Sequence, residues 1–239
     1  MEKNSSYQVT RYIAGRQHEK RVGVSLGLKI IAFIGLIFLI VNLQGFFDKK
    51  RSPFTYTDYP SGIHGTQPLA MEGGDPYIRA LMRTITASES NVKRPYHLLY
   101  GNRYVSDLSS HPELCVPIVA GPNVGNCTTA AGRYQMLNYT WYETAERYHP
   151  NPSGILWWKT YSFEPEYQDE VVHAWLSDPQ VWGKNIPQLL REGEIEQVLR
   201  LLSPTWTSLG YGIETNSMSK YLPQIYQNML QEELASSEN

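Results

Sequence analysis

Cysteine is scarce in this chain, with two among 239 residues. Two cannot supply a four-ligand structural zinc site or a multi-bridge scaffold, and they leave room for one disulfide at most. His97, His111, His149 and His173 have no metal-ligand spacing and read as surface or core residues, so neither a metal nor a cofactor is expected. No glycine-rich phosphate loop and no Gly-x-Ser-x-Gly elbow is present, which removes the usual signatures of nucleotide binding and of serine hydrolases. Positive charge is also thin over most of the chain. Residues 52–239 hold 12 Lys+Arg against 20 Asp+Glu with no basic run, which argues against nucleic acid as a partner.

Residues 1–51 reverse that balance, with 9 Lys+Arg against 3 Asp+Glu. Within them, Ile30 to Phe47 (IIAFIGLIFLIVNLQGFF) runs 18 residues without a charge. As a helix it would be roughly 27 Å long, close to the hydrocarbon thickness of a bilayer. The rival reading is a cleaved signal peptide, but no small-x-small site follows; Asp48, Lys49, Lys50 and Arg51 do. An uncleaved transmembrane anchor over 30–47 is expected, behind a short basic cytoplasmic tail at 1–29. Lys3, Arg11, Arg16, Lys20, Arg21 and Lys29 precede the span, so the positive-inside rule places the N-terminus in the cytoplasm and the body beyond the membrane. There, Cys115 and Cys127 could close a disulfide; two buried free thiols are the alternative.

The segment 48–74, rich in Pro, Gly, Ser, Thr and Tyr, reads as a linker, and 75–235 as one folded domain. Asp75-Pro76 is an N-cap followed by proline at the first helical position. Ile78, Leu81, Met82 and Ile85 then form an apolar stripe, and Glu89, eleven residues after Ile78, returns to nearly the same face. A carboxyl on a buried stripe has its pKa raised by desolvation and serves as a general acid near neutral pH; the alternative is that the helix frays and Glu89 points to water. Tyr96 to Val105 reads as a short hairpin turning at Gly101-Asn102. A loop follows over 106–126. A helix capped by Thr128-Thr129 is expected through AAGRYQMLNYTWYETAERY, with Gly132 just inside it. A glycine there needs a reason, such as the close approach of a ligand or another backbone. Further helices are expected over 164–177, 179–191, 194–202 and 217–234. Many helices and one small hairpin make an α+β domain, mostly helical. Of the aromatics Tyr134, Trp141, Tyr142, Trp157, Trp158, Trp206 and Tyr211, most should be core and two or three should line a groove that suits sugars.

Five blocks, in order, carry a resemblance. They are the helix end Ala87-Ser88-Glu89-Ser90; the hairpin with Asp107 and His111-Pro112; Gly132-Arg133-Tyr134-Gln135; Phe163-x-Pro165-x-x-Gln168-Asp169; and Trp206-Thr207-Ser208-Leu209 with Gly210-Tyr211-Gly212. From about Ile78 to Leu234 the chain resembles the lambda-type phage endolysins, which are lysozyme-like lytic transglycosylases. The resemblance implies a lysozyme-like fold and cleavage of peptidoglycan glycan strands. It implies Glu89 as the catalytic acid, with Ser90, Asp107, Tyr134, Gln135, Trp206 and Tyr211 contacting substrate. Ser90 stands where the lambda-type enzymes have glycine, the loop holding Cys115 and Cys127 differs, and the lambda enzyme has no anchor. The expectation is therefore a tethered enzyme at the bacterial inner membrane, its catalytic domain in the periplasm or cell-wall space. A hydrolytic muramidase and a catalytically silent murein-binding scaffold are the alternatives.

Overall fold

The structure, a computed structural model, describes residues 66–237 except 120, 122, 156–157 and 213–216. Among the described residues no helix is long and apolar enough to cross a membrane. The tail expected at 1–29 and the anchor expected at 30–47 lie outside them.

Helix α1 spans Pro76–Glu89 and begins as its sequence dictates: Asp75 Oδ1 accepts the Tyr77 N–H at 2.9 Å and Pro76 occupies the first turn. Ile78, Leu81, Met82 and Ile85 are fully buried, and so are Ala80, Thr84 and Thr86, which makes α1 the axis of the domain rather than a surface helix. Its long companion is α7, Leu222–Ser237, which buries Ile225, Tyr226 and Met229 against it. Ion pairs fix the pairing. Glu233, itself buried, takes the Arg79 guanidinium at 2.5 Å and the Arg83 guanidinium at 3.0 Å, and Arg83 also reaches Glu232 at 2.6 Å.

Among the described residues three two-stranded antiparallel pairs accompany the helices. β1 (Leu98–Leu99) pairs with β2 (Arg103–Tyr104) as the expected hairpin. β3 (Val116–Pro117) pairs with β4 (Cys127–Thr128) inside the segment expected to be loop. The Cys115–Cys127 disulfide clamps that pair near its exposed end, in line with the first of the two readings. β5 (Ser153–Ile155) and β6 (Trp158–Thr160) form a third hairpin, to which the sequence reading gave no element. There, a Cβ on Gly154 would fall 1.7 Å from the Trp158 carbonyl oxygen, an approach that only glycine permits.

The remaining α-helices among the described residues are α2 (Asn138–Tyr148), α3 (Pro165–Ser177), α4 (Pro179–Trp182), α5 (Ile186–Arg191) and α6 (Ile195–Leu202). Two expectations change here. The helix expected over 179–191 is two, because Gly183 turns left-handed (φ 62°) and Asn185 caps a new start by accepting the Gln188 N–H. The linker expected to reach residue 74 stops earlier: Thr66, Leu69 and Met71 are buried in the domain.

Candidate active site

Residues 131–136 depart furthest from expectation and fix the geometry of the site. Instead of helix, Ala131 and Met136 exchange backbone hydrogen bonds at 3.1 and 2.9 Å around a tight turn, with Gly132 at φ 75° and Gln135 at φ 46°. Helix α2 starts only at Asn138, whose N–H reaches the Thr129 hydroxyl; Thr129 does cap the helix, but from nine residues away. Tertiary bonds outbid the local helix. Gln168 Oε1 accepts the Arg133 N–H at 2.9 Å, and its Nε2 donates to the carbonyls of Phe163 and Tyr96. A Cβ on Gly132 would meet Gln168 Oε1 at 2.2 Å and Phe163 at 2.7 Å, so the close approach that this glycine serves is by those two side chains.

Behind the turn lies a buried polar network. The Arg133 guanidinium, fully enclosed, donates to Thr86 Oγ1, to the carbonyls of Gln67 and Pro68, and to the Tyr96 hydroxyl. The Tyr96 hydroxyl in turn donates to Asp169 Oδ2 at 2.6 Å, and Tyr134 donates to Oδ1 at 2.6 Å. The amides of Ala70 and Met71 complete the shell of Asp169. Burial pushes the Tyr96 and Tyr134 hydroxyls well above the ordinary phenol range, so both stay donors. A buried cation and a buried carboxylate thus communicate through the Tyr96 hydroxyl. The sequence reading matched Arg133, Gln168 and Asp169 only as motif letters.

Glu89 closes α1 at the front of this scaffold. The helix does not fray before it: the next amide, that of Ser90, still bonds to the Thr86 carbonyl. Glu89 is half-buried, and Ser208 Oγ donates a short hydrogen bond to its Oε1. Ser90 is buried, and its hydroxyl binds the Arg133 carbonyl, tying the helix end to the 132–135 turn. Trp206 Nε1 donates to the Tyr134 carbonyl at 3.0 Å, tying the same turn to the 3₁₀ segment Thr207–Leu209. Three segments therefore converge beside one carboxyl group.

The expected substrate contacts separate into two sets. Tyr134, at 1% exposure, and Trp206, at 4%, have no face on solvent; Trp206 instead packs on Trp175 and Trp182, with ring centroids 5.3 and 6.4 Å away. Ser90 is likewise structural. These three spend their polar atoms inside the fold rather than presenting them to a strand as expected: the Tyr134 hydroxyl on Asp169, the Trp206 N–H and the Ser90 hydroxyl on backbone carbonyls of the turn beside Glu89. Gln135 is part-exposed, its amide held by the Gly132 carbonyl at 2.9 Å. Tyr211 lies exposed with the Arg200 guanidinium over its ring at 4.8 Å. Asp107 lies on the surface, where its Oδ1 accepts the Ser109 N–H and hydrogen bonds from Ser109 lower its pKa. The histidines are structural: His111 and His149 each accept the amide two residues on at Nδ1 and bond a carbonyl through Nε2. Among the described residues no cluster of His, Cys, Asp or Glu could hold a metal ion.

A half-buried carboxyl that takes a hydrogen bond from the Ser208 hydroxyl, at a helix end tied to two neighbouring segments, can give and take a proton next to a bound ligand. A family model described as Endolysin matches residues 79–232. A solved structure of bacteriophage lambda lysozyme complexed with a chitohexasaccharide superposes with a TM-score of 0.51 at 22% identity, covering 66% of this chain and 97% of that one. A second structure, of lysozyme from bacteriophage lambda, gives a TM-score of 0.48 at 20% identity over 68% and 97% of the two chains. No curated protein matches. The fold is lysozyme-like.

Proposed function

The chain belongs to the endolysin family, and from that premise we propose that it is a peptidoglycan-cleaving lytic transglycosylase that works through a single carboxyl group. The observation that carries the reading is Glu89, presented half-buried at the end of α1 with the Ser208 hydroxyl on its carboxylate. That the lambda lysozyme of like fold was solved with a chitohexasaccharide supports a glycan strand as ligand.

In this reading Glu89 protonates the bridging oxygen between N-acetylmuramic acid and N-acetylglucosamine, and the glycosidic C1–O bond breaks. The C6 hydroxyl of the muramic residue attacks its own C1, and the Glu89 carboxylate takes the proton that the hydroxyl releases. A 1,6-anhydro ring forms, no water is consumed, and Glu89 ends as it began. Glycosidases that use water ordinarily need a second carboxylate. Asp107, the candidate for that duty, is solvated and engaged in its own turn with Ser109, which supports the one-carboxyl route. Gln135 and Tyr211 remain as the side chains that line the strand.

The reading includes tethering: residues 30–47 anchor the chain in the bacterial inner membrane, N-terminus in the cytoplasm, with the catalytic domain facing the cell wall. The bonded, exposed pair Cys115–Cys127 supports an oxidising compartment for the domain. Glu89→Gln tests the activity directly. It should abolish turnover of purified peptidoglycan while sedimentation with the same sacculi is retained. Full turnover by that variant would remove the acid from Glu89.

A further inference from the structure

Every side chain that the family resemblance assigns to the site, apart from Glu89 itself, is buried as scaffold, part-exposed or on the surface. A side chain that hydrogen-bonds the Glu89 carboxyl group lies outside that set. Ser208 belongs to the 3₁₀ segment Thr207–Leu209, nearly buried, and its Oγ donates to Glu89 Oε1. The same Oγ lies 3.1 Å from Ser88 Oγ, but a carboxylate is the stronger acceptor for its one proton. Ser208 is itself braced. Ser219 Oγ donates to the Ser208 carbonyl at 3.1 Å. Gly210, at φ 98°, makes room for that brace, since a Cβ there would fall 2.9 Å from both Cβ and Oγ of Ser219. Trp206 fixes the start of the segment through the Tyr134 carbonyl. A hydroxyl so held at both ends does not follow its partner about; it sets where the partner sits.

We propose that Ser208 is the positioning residue for Glu89: its hydroxyl fixes the carboxyl group facing the scissile bond and shares the negative charge that Glu89 carries after it has given up its proton. The proposal rests on the reading of Glu89 as the acid. Its physical content is differential. A hydroxyl donor stabilises the carboxylate more than the neutral acid, so it favours the moment after proton transfer and holds the group oriented for taking the proton back from the C6 hydroxyl. Removing the donor should make Glu89 a weaker acid and a less well-aimed one.

The test uses the full chain on purified peptidoglycan, with turnover followed against pH for wild type, Ser208→Ala, Ser208→Thr and Glu89→Gln. Ser208→Ala should lower kcat about tenfold or more with KM changed less than about twofold. The alkaline limb, where a protonated acid is lost, should move up by about one pH unit, because the carboxylate has lost a donor. Ser208→Thr keeps the hydroxyl and should restore most of kcat and the original limb. Wild-type kcat and an unmoved limb in Ser208→Ala, beside an inactive Glu89→Gln, would overturn the proposal and leave the assignment of Glu89 standing. An active Glu89→Gln would instead remove the assignment itself. Should Ser208→Ala not fold, Ser208→Cys takes its place: the weaker thiol donor should move the limb the same way, and an unmoved limb overturns the proposal.

Discussion

The network around Asp169 and the surface around Asp107 hold carboxylates of the same kind in opposite conditions. Asp169 is sealed from water, with two tyrosine hydroxyls and two backbone amides as its solvent. Asp107 sits in water and is occupied by one turn. Both fall in blocks that resemble the lambda-type endolysins, yet only one is part of the framework that aims Glu89. What the pair teaches is that similarity of a block to a catalytic family marks what must be built as often as what reacts. The acid is one side chain, and a good part of the surrounding blocks are the fixture that holds it.

The largest effect that could break this contrast is Asp169→Ala, which strands the Arg133 guanidinium and two buried hydroxyls. It should cost about 3–5 kcal/mol of unfolding free energy, read as a lower urea midpoint; a midpoint near wild type would mean that the network is not holding the domain. Next comes Gly132→Ala, which adds a methyl where Gln168 and Phe163 already are and demands a positive φ of a residue that avoids it. A loss of about 3 kcal/mol is expected in the same assay, with peptidoglycan turnover lost alongside, since the 132–135 turn sets the position of the helix end that bears Glu89.

Opening the disulfide by Cys115→Ser with Cys127→Ser should lower stability by about 2–3 kcal/mol. Reductant should shift the wild-type melting temperature and leave the double variant's where it is. Acid should do something smaller and gradual. Burial lowers the pKa of His111 and His149 below 6.5, against the opposing pull of the carbonyls that each ring bonds, and each Nδ1 accepts an amide, so both rings are neutral in the fold. The unfolded chain takes up protons first as the pH falls. Their contribution is therefore complete above about 6.5 and is lost as the pH drops from there through the lower folded values. Urea midpoints at pH 7.5 and 5.0 check this, and an equal or higher midpoint at 5.0 contradicts it. The smallest effect is Asp107→Ala, which should leave the unfolding midpoint unmoved and, in a one-carboxyl mechanism, most of the turnover as well.

Much of the fold could be read from the residues because its cues are local. Asp75-Pro76 starts α1, its apolar stripe buries as its period demands, and Gly101-Asn102 turns the first hairpin. Glu89 stood out by arithmetic alone, as a carboxylate returning to an apolar face. The failures lie where distant partners decide. Nothing within a turn of Gly132 says that Gln168, thirty-six residues on, will take the Arg133 amide and forbid a helix. Tyr134 looks like a sugar-stacking ring until Asp169 claims its hydroxyl, and Trp206 like a groove wall until Trp175 and Trp182 cover it. Ser208 enters the sequence reading only as a letter of the Trp206–Leu209 block; the fold puts it against Glu89. The split at Gly183 and Asn185 is legible in the residues themselves, since glycine is a helix C-cap signal and asparagine an N-cap signal.

The central claim is that one carboxyl group, aimed by a buried fixture, cleaves the strand without water. Mass spectrometry of the products that the full chain releases from purified peptidoglycan tests it most directly. The account predicts fragments ending in 1,6-anhydro-N-acetylmuramic acid. Fragments heavier by one water, with ordinary reducing ends, would contradict it and make a water-activating carboxylate such as Asp107 part of the machinery.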